Sequence, residues 1–185
     1  MATIEERIVA LVASPVNPPG RTPAARLQYL VDELKAGAIE APVFERAFSA
    51  EVARTHLRAY AQGTGQVVLT PGGVGAVERL IQAEAPNIAA FTADLSAGRE
   101  PIPDTQRVSM YANGDHKARQ IGQLAAAVVV GQRVRWILDE NDDANCEACQ
   151  SAADGGPYAP GALPGIPGWP YCAGGNNCRC EIVPA

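Results

Sequence analysis

The first 145 residues of this 185-residue chain contain no cysteine, and all five cysteines follow, at 146, 149, 172, 178 and 180. Histidine is almost as scarce, since His56 and His116 are the only two. A hydrolase built on histidine bases, or a zinc-stapled nuclease with histidines among its cysteines, therefore finds none near the cysteines in the sequence. Aromatic residues make up only 5% of the chain while alanine is abundant, which argues for close-packed helices over a β-sandwich. No apolar run approaches the ~20 residues of a membrane span. The start, Met1-Ala2-Thr3-Ile4-Glu5-Glu6, is polar and acidic, unlike a signal peptide, so an oxidising compartment has no support.

Positive charge is missing from the end of the chain. Residues 1–140 carry 14 basic against 15 acidic side chains, whereas residues 141–185 carry Arg179 alone against Asp142, Asp143, Glu147, Asp154 and Glu181. A finger that binds nucleic acid needs cations to neutralise phosphates. This tail offers one, so direct DNA binding is not expected of it.

What the tail does offer is thiols. Cys146-x-x-Cys149 is a spacing that lets two thiolates reach one ion, and the group at Cys172, Cys178 and Cys180 can complete the tetrahedron that zinc prefers. The intervening segment, Gly155 to Pro170, is so rich in glycine and proline that neither a helix nor a central strand fits, and it has little apolar bulk with which to hold a shape. A structural metal is the simplest way to order it, and a disulfide-linked loop is the alternative. Five cysteines exceed four ligands. Cys146 and Cys149 are the first pair, Cys172 and Cys178 the second, with Cys180 as the alternative fourth ligand. The reading sets Cys178 and Cys180 on opposite faces of a closing strand, one a ligand and the other a buried thiol.

The run Trp136-x-x-Asp139, Cys146-x-x-Cys149, Leu163-Pro164, Pro167-Gly168 and Asn177-Cys178-Arg179-Cys180 resembles the C-terminal signature of tailed-phage head-morphogenesis, or minor capsid, proteins. The match covers about the last fifty residues; upstream it is looser, chiefly Arg107-x-x-x-Tyr111 and the helix after it. That family often has a histidine shortly before the final Asn-Cys-Arg-Cys, where this chain has only Cys172, a little further upstream. The resemblance implies a virion component near the portal, assembled in the host cytoplasm and acting in head assembly, DNA packaging or ejection. Its implied partners are portal, major capsid or scaffold protein, and further copies of itself.

Upstream, the pattern predicts a mainly α fold: an N-terminal arm (1–20), a helical body (21–131) and a zinc-knuckle module (132–185) with a small β-hairpin. In the arm, Ile4, Ile8 and Leu11 keep helical spacing before Ser14 to Gly20 break it; the segment either docks elsewhere or folds back on the body. Thr22-Pro23 and Thr70-Pro71 are helix starts, threonine capping and proline at the first helical position. The first of these helices ends near Lys35. A second is expected over Pro42 to Ala61, with Phe44, Phe48, Val52, Thr55 and Ala59 on one face and Gly63-Thr64-Gly65 as its stop. His56 on that helix reads as a surface or boundary residue with no acidic partner at helical spacing. The helix from Thr70 should kink or split at Pro86. Gly72-Gly73-Val74-Gly75 is a helix entry and not a phosphate loop, because no lysine follows. A last helix, Thr105 to Val130, is expected to break near Asn113-Gly114 and to end in a buried run, Ala125 to Val130. Asp115 and His116, adjacent on it, do not face each other and carry no acid/base reading. Arg133 to Leu138 and Arg179 to Val183 alternate like strands and are expected to pair antiparallel.

Three functional classes compete. An enzyme lacks the means: a catalytic zinc leaves one position open to water, whereas four or five thiolates fill it, and the ligand-Glu-Pro-Cys-x-x-Cys arrangement of zinc deaminases is absent. A zinc-knuckle DNA-binding regulator is the first alternative and a zinc-dependent nuclease or other hydrolase the second. The favoured expectation is a non-enzymatic structural protein with no catalytic residues, one structural zinc and no membrane association.

Overall fold

A computed structural model describes residues 2–65, 69–140, 146–167 and 178–185. Among these, the chain is mainly helical. The helices are α1 (Ile4–Val12), α2 (Pro23–Lys35), α3 (Ala41–Thr64), α4 (Pro71–Ser96), α5 (Asp104–Ala112), α6 (Asp115–Val130) and α7 (Glu147–Asp154). The strands β1 (Val134–Ile137) and β2 (Glu181–Pro184) form a two-stranded antiparallel sheet. No described helix is long and apolar enough to cross a membrane.

The helix starts are set by threonine. Thr22 Oγ1 accepts the Ala25 amide at 3.2 Å and Thr70 Oγ1 accepts the Gly73 amide at 3.1 Å, each followed by proline at the first helical position. Thr3 forms a capping box, its Oγ1 accepting from the Glu6 amide while Glu6 accepts from the Thr3 amide. The Gly72-Gly73-Val74-Gly75 stretch is the first turn of α4. α4 continues as one helix through Pro86, and the expected split does not occur.

The chain divides into two compact units. The first comprises residues 1–57 and 70–114, the second residues 58–69 and 115–185. α6 and the last turns of α3 fall in the second unit, with the C-terminal strands.

In the first unit all three phenylalanines of the chain meet. Phe44 and Phe48 lie 5.1 Å apart between centroids, Phe91 stands edge-on to both, and Tyr111 is edge-on to Phe48 at 5.1 Å. Leu27, Leu30, Val31, Val52, Ile88 and Val108 close the core around them. The Arg107 guanidinium lies 5.0 Å over the Phe91 ring and pairs with Asp94 at 3.0 Å. The N-terminal segment folds back on this unit: Arg7 pairs with Glu78 of α4, and Arg54 donates to the Val12 carbonyl at 2.8 Å. His56, expected near the surface, is 1% exposed, with Nε2 3.2 Å from Glu84 Oε1. Its acidic partner comes from another helix, which spacing along α3 alone does not reveal.

In the second unit, α3 and α6 meet backbone to backbone through glycine. A Cβ on Gly63 would sit 2.1 Å from the Arg119 carbonyl oxygen, and one on Gly122 would sit 2.4 Å from that of Tyr60. Gly63 is thus a crossing point inside α3; the stop is Gly65, with φ of +65°. The C-terminal end of α6 is not the buried run expected: Ala127 is buried, but Val128, Val129 and Val130 are 58%, 80% and 70% exposed. The Gly155 to Pro167 stretch holds no α-helix and no strand, only a 3₁₀ turn at Pro160–Ala162 and isolated bridge residues such as Tyr158, which pairs with Val134.

Two outcomes follow. Gly122→Ala forces the two helix backbones apart and should lower stability by about 1–3 kcal/mol, the usual cost of overpacking, measured by equilibrium denaturation. Unchanged stability would refute the close crossing. Tyr111 has its pKa raised from 10.0 to about 12, by burial first and by the Glu84 charge second. The neutral phenol is the form the folded state favours, so its contribution to stability is complete below pH 10 and lost as pH rises towards about 12. Tyr111→Phe should flatten that alkaline loss in pH-dependent unfolding curves.

Candidate metal centre

A four-residue strand cannot stand alone, and β2 is secured along both edges. Its register with β1 is Val134↔Pro184, Arg135↔Val183, Trp136↔Ile182 and Ile137↔Glu181. The Ala185 amide bonds the Arg133 carbonyl at 2.9 Å, so by the alternation of an antiparallel pair the odd-numbered residues of both strands exchange hydrogen bonds. The even-numbered residues turn their backbone groups outward. On the β1 side, Val134 exchanges two bonds with Tyr158, at 2.9 and 2.8 Å. On the β2 side, α6 supplies the partners: His116 Nε2 donates to the Cys180 carbonyl at 2.8 Å, and Gln120 Oε1 accepts from the Ile182 amide. Pro184 has no amide to satisfy.

Burial alternates from Cys178 to Ile182, with Cys178, Cys180 and Ile182 buried and Arg179 and Glu181 exposed. Cys178 and Cys180 therefore share a face, and the expectation of opposite faces fails on strand geometry itself, since residues two apart in extended backbone point the same way. Both thiols join Cys149, and the three Sγ atoms lie within 4.8 Å of one another, all buried. Cys149 stands in the first turn of α7, where the amide dipoles favour a thiolate. Cys146 is the N-cap residue of α7, half-buried and packed against the cluster, but its sulfur is outside the three-thiol group. Cys172 lies outside the described residues. Trp136 covers the group with Ala152, at 5% exposure, and Leu138, Ala153 and Leu163 pack round it.

The α7 helix was not foreseen. Its signals, Glu147 after an N-cap position and Gly155 just past Asp154, are present in the sequence. His116 was set aside because it is far from the cysteines in sequence; the fold brings its imidazole onto the peptide of Cys180. The Tyr158 hydroxyl donates to the Ala152 carbonyl at 2.7 Å, and its ring lies so close to Gly155 that a Cβ there would meet the phenol oxygen at 2.4 Å.

The donors suit a thiophilic ion. With Zn–S bonds near 2.3 Å, a tetrahedral site has sulfur–sulfur edges of about 3.8 Å. Cys149 Sγ and Cys178 Sγ are 3.9 Å apart. A disulfide requires about 2.05 Å. These three buried thiols are placed to hold a metal ion. Searches against protein-family models, curated proteins and solved structures give no match to this chain.

The strand pairing is testable by deletion. Removing residues 179–185 takes away β2 and Cys180 together. It should expose the Arg135 and Ile137 amides, which face β2, to rapid hydrogen exchange, while α2 and α4 stay protected. Protection of those two amides that survives the deletion would contradict the register.

Proposed function

We propose that this chain is a non-enzymatic structural protein of a tailed-phage head, a minor capsid or head-morphogenesis component whose C-terminal unit is stapled by one zinc ion. The observation that carries the reading is the buried group of Cys149, Cys178 and Cys180, set in a tail that resembles the head-morphogenesis signature. Zinc would be held by these three thiolates and a fourth ligand from Cys146 or Cys172, and would tie α7 to the approach of β2. Its role there is structural, because a thiolate-rich sphere leaves no position for an activated water. His116 supports the same view, since its Nε2 donates to the Cys180 carbonyl, a bond that holds backbone. The single cation of residues 141–185 argues for a protein partner, such as portal, capsid or scaffold protein, over DNA.

Purified under reducing conditions, the chain should contain about one zinc per molecule, lost in Cys149→Ser and in Cys180→Ser. Binding should weaken on acidification, because thiols must release protons to ligate. Elemental analysis without metal, alongside mapped disulfides, would overturn the zinc assignment. For the particle role, the protein should co-sediment with heads and capture portal or capsid protein in a pull-down. Particles that lack it yet assemble, package and infect normally would refute that role.

A further inference from the structure

The metal reading leaves a question of delivery: Cys180 comes from a short strand at the end of the chain, and something must bring it to Cys149 and Cys178. We propose that His116 and Gln120 are positioning residues of the metal centre, through which α6 holds the backbone of residues 180–182 so that Cys180 is in place before an ion arrives. The proposal rests on the metal reading of the thiol group and adds to it a device on another element.

The geometry is specific. His116 and Gln120 are four residues apart on α6 and so share a helix face. Each makes one hydrogen bond to the outward edge of β2 and its approach, His116 as donor to the Cys180 carbonyl at 2.8 Å and Gln120 as acceptor from the Ile182 amide. The two backbone groups are those that the pairing with β1 leaves unused. All four residues are buried: Gln120 and Ile182 at 0%, Cys180 at 3% and His116 at 9%. In such surroundings the loss of either bond strands a polar group at high cost. Donation fixes the His116 tautomer with its proton on Nε2, or the charged ring. The bond falls on the peptide of the cysteine itself, where a shift of the carbonyl moves the sulfur directly. Groups that orient ligands from outside the coordination sphere commonly change metal affinity by about 10–100-fold when removed. Gln120 steadies the next outward amide, and so fixes the direction in which the chain leaves Cys180.

The test uses the full-length chain with three variants. His116→Leu removes the donor at similar bulk, Gln120→Met removes the acceptor, and His116→Gln places an amide donor where Nε2 was. Zinc affinity is read by competition with a chromophoric chelator, and site geometry by the absorption of the cobalt(II)-loaded protein. We expect His116→Leu to weaken zinc by about tenfold or more and to alter the cobalt bands, with His116→Gln restoring both towards wild type. Gln120→Met should weaken zinc in the same direction, and it carries the test alone if His116→Leu does not fold. A folded His116→Leu with unchanged affinity and spectrum overturns the proposal, as does His116→Gln behaving like His116→Leu. Wild-type protein that binds no zinc would remove the metal reading and this inference with it. Wild type and variants binding zinc equally would remove the inference alone.

Discussion

The C-terminal unit depends on the backbone of its last strand. Residues 180–184 carry a buried thiol, a fully buried isoleucine and a proline, and their polar backbone groups must find partners inside the protein. β1 takes one edge, His116 and Gln120 of α6 take the other, and Pro184 removes one donor from the account. Once both edges are fixed, strand geometry does the rest. The two-residue period turns Cys178, Cys180 and Ile182 to one side, where Trp136 and Cys149 meet the thiols and Ala127 and Val134 meet the isoleucine. An isolated two-stranded ribbon is marginal in water, so the helix behind it is as much a part of the cysteine site as the strands are. That helix is fixed in turn by its backbone contact with α3 through Gly63 and Gly122.

The first unit solves a different problem, the burial of charge. Glu51 is 1% exposed and bonded to both Arg26 and Arg54. A buried carboxylate is costly unless paired, and here the two guanidiniums also reach out to the chain entering from the N-terminus: Arg26 to the Gly20 carbonyl at 3.2 Å and Arg54 to that of Val12 at 2.8 Å. One carboxylate thereby anchors a proline-rich segment that has few apolar side chains to bury. The buried ring of His56 meets the half-buried Glu84 side chain beneath Gly114, where a Cβ would stand 3.1 Å from the imidazole. That contact accounts for glycine between α5 and α6 by space, since Gly114 is not among the glycines of positive φ.

The limits of the sequence follow from which forces are local. Thr22-Pro23 and Thr70-Pro71 announce their helices because a cap and its target lie within three residues. The spacing of Phe44, Phe48 and Val52 announces a core face for the same reason. The antiparallel partnership of β1 and β2 was legible from alternation in two short runs. What could not be read were partnerships across long stretches of chain: His56 with Glu84, His116 with Cys180, Gly122 with Tyr60. Each of these residues looks unremarkable beside its neighbours. The exposed valines at the end of α6 show the converse, because an apolar run predicts burial only where something is packed on it. The grouping of Cys178 with Cys180 was legible in principle, since the strand period alone places them together.

The thiol group itself bears on the choice between its chemical uses. A reactive cysteine needs solvent access and an electropositive neighbour, but Cys149, Cys178 and Cys180 are 2%, 6% and 3% exposed, in a pocket closed by a tryptophan and alanines. A disulfide would use two of the three sulfurs. A metal uses all three, and the 3.9 Å between the Cys149 and Cys178 sulfurs matches the edge expected of a tetrahedral thiolate site and is about twice the length of a disulfide. Burying uncompensated thiolates is costly, and a divalent ion offsets two of their charges. The same step would tie α7 to the approach to β2, on either side of the glycine- and proline-rich segment. That is the constraint a segment needs when its composition denies it a core.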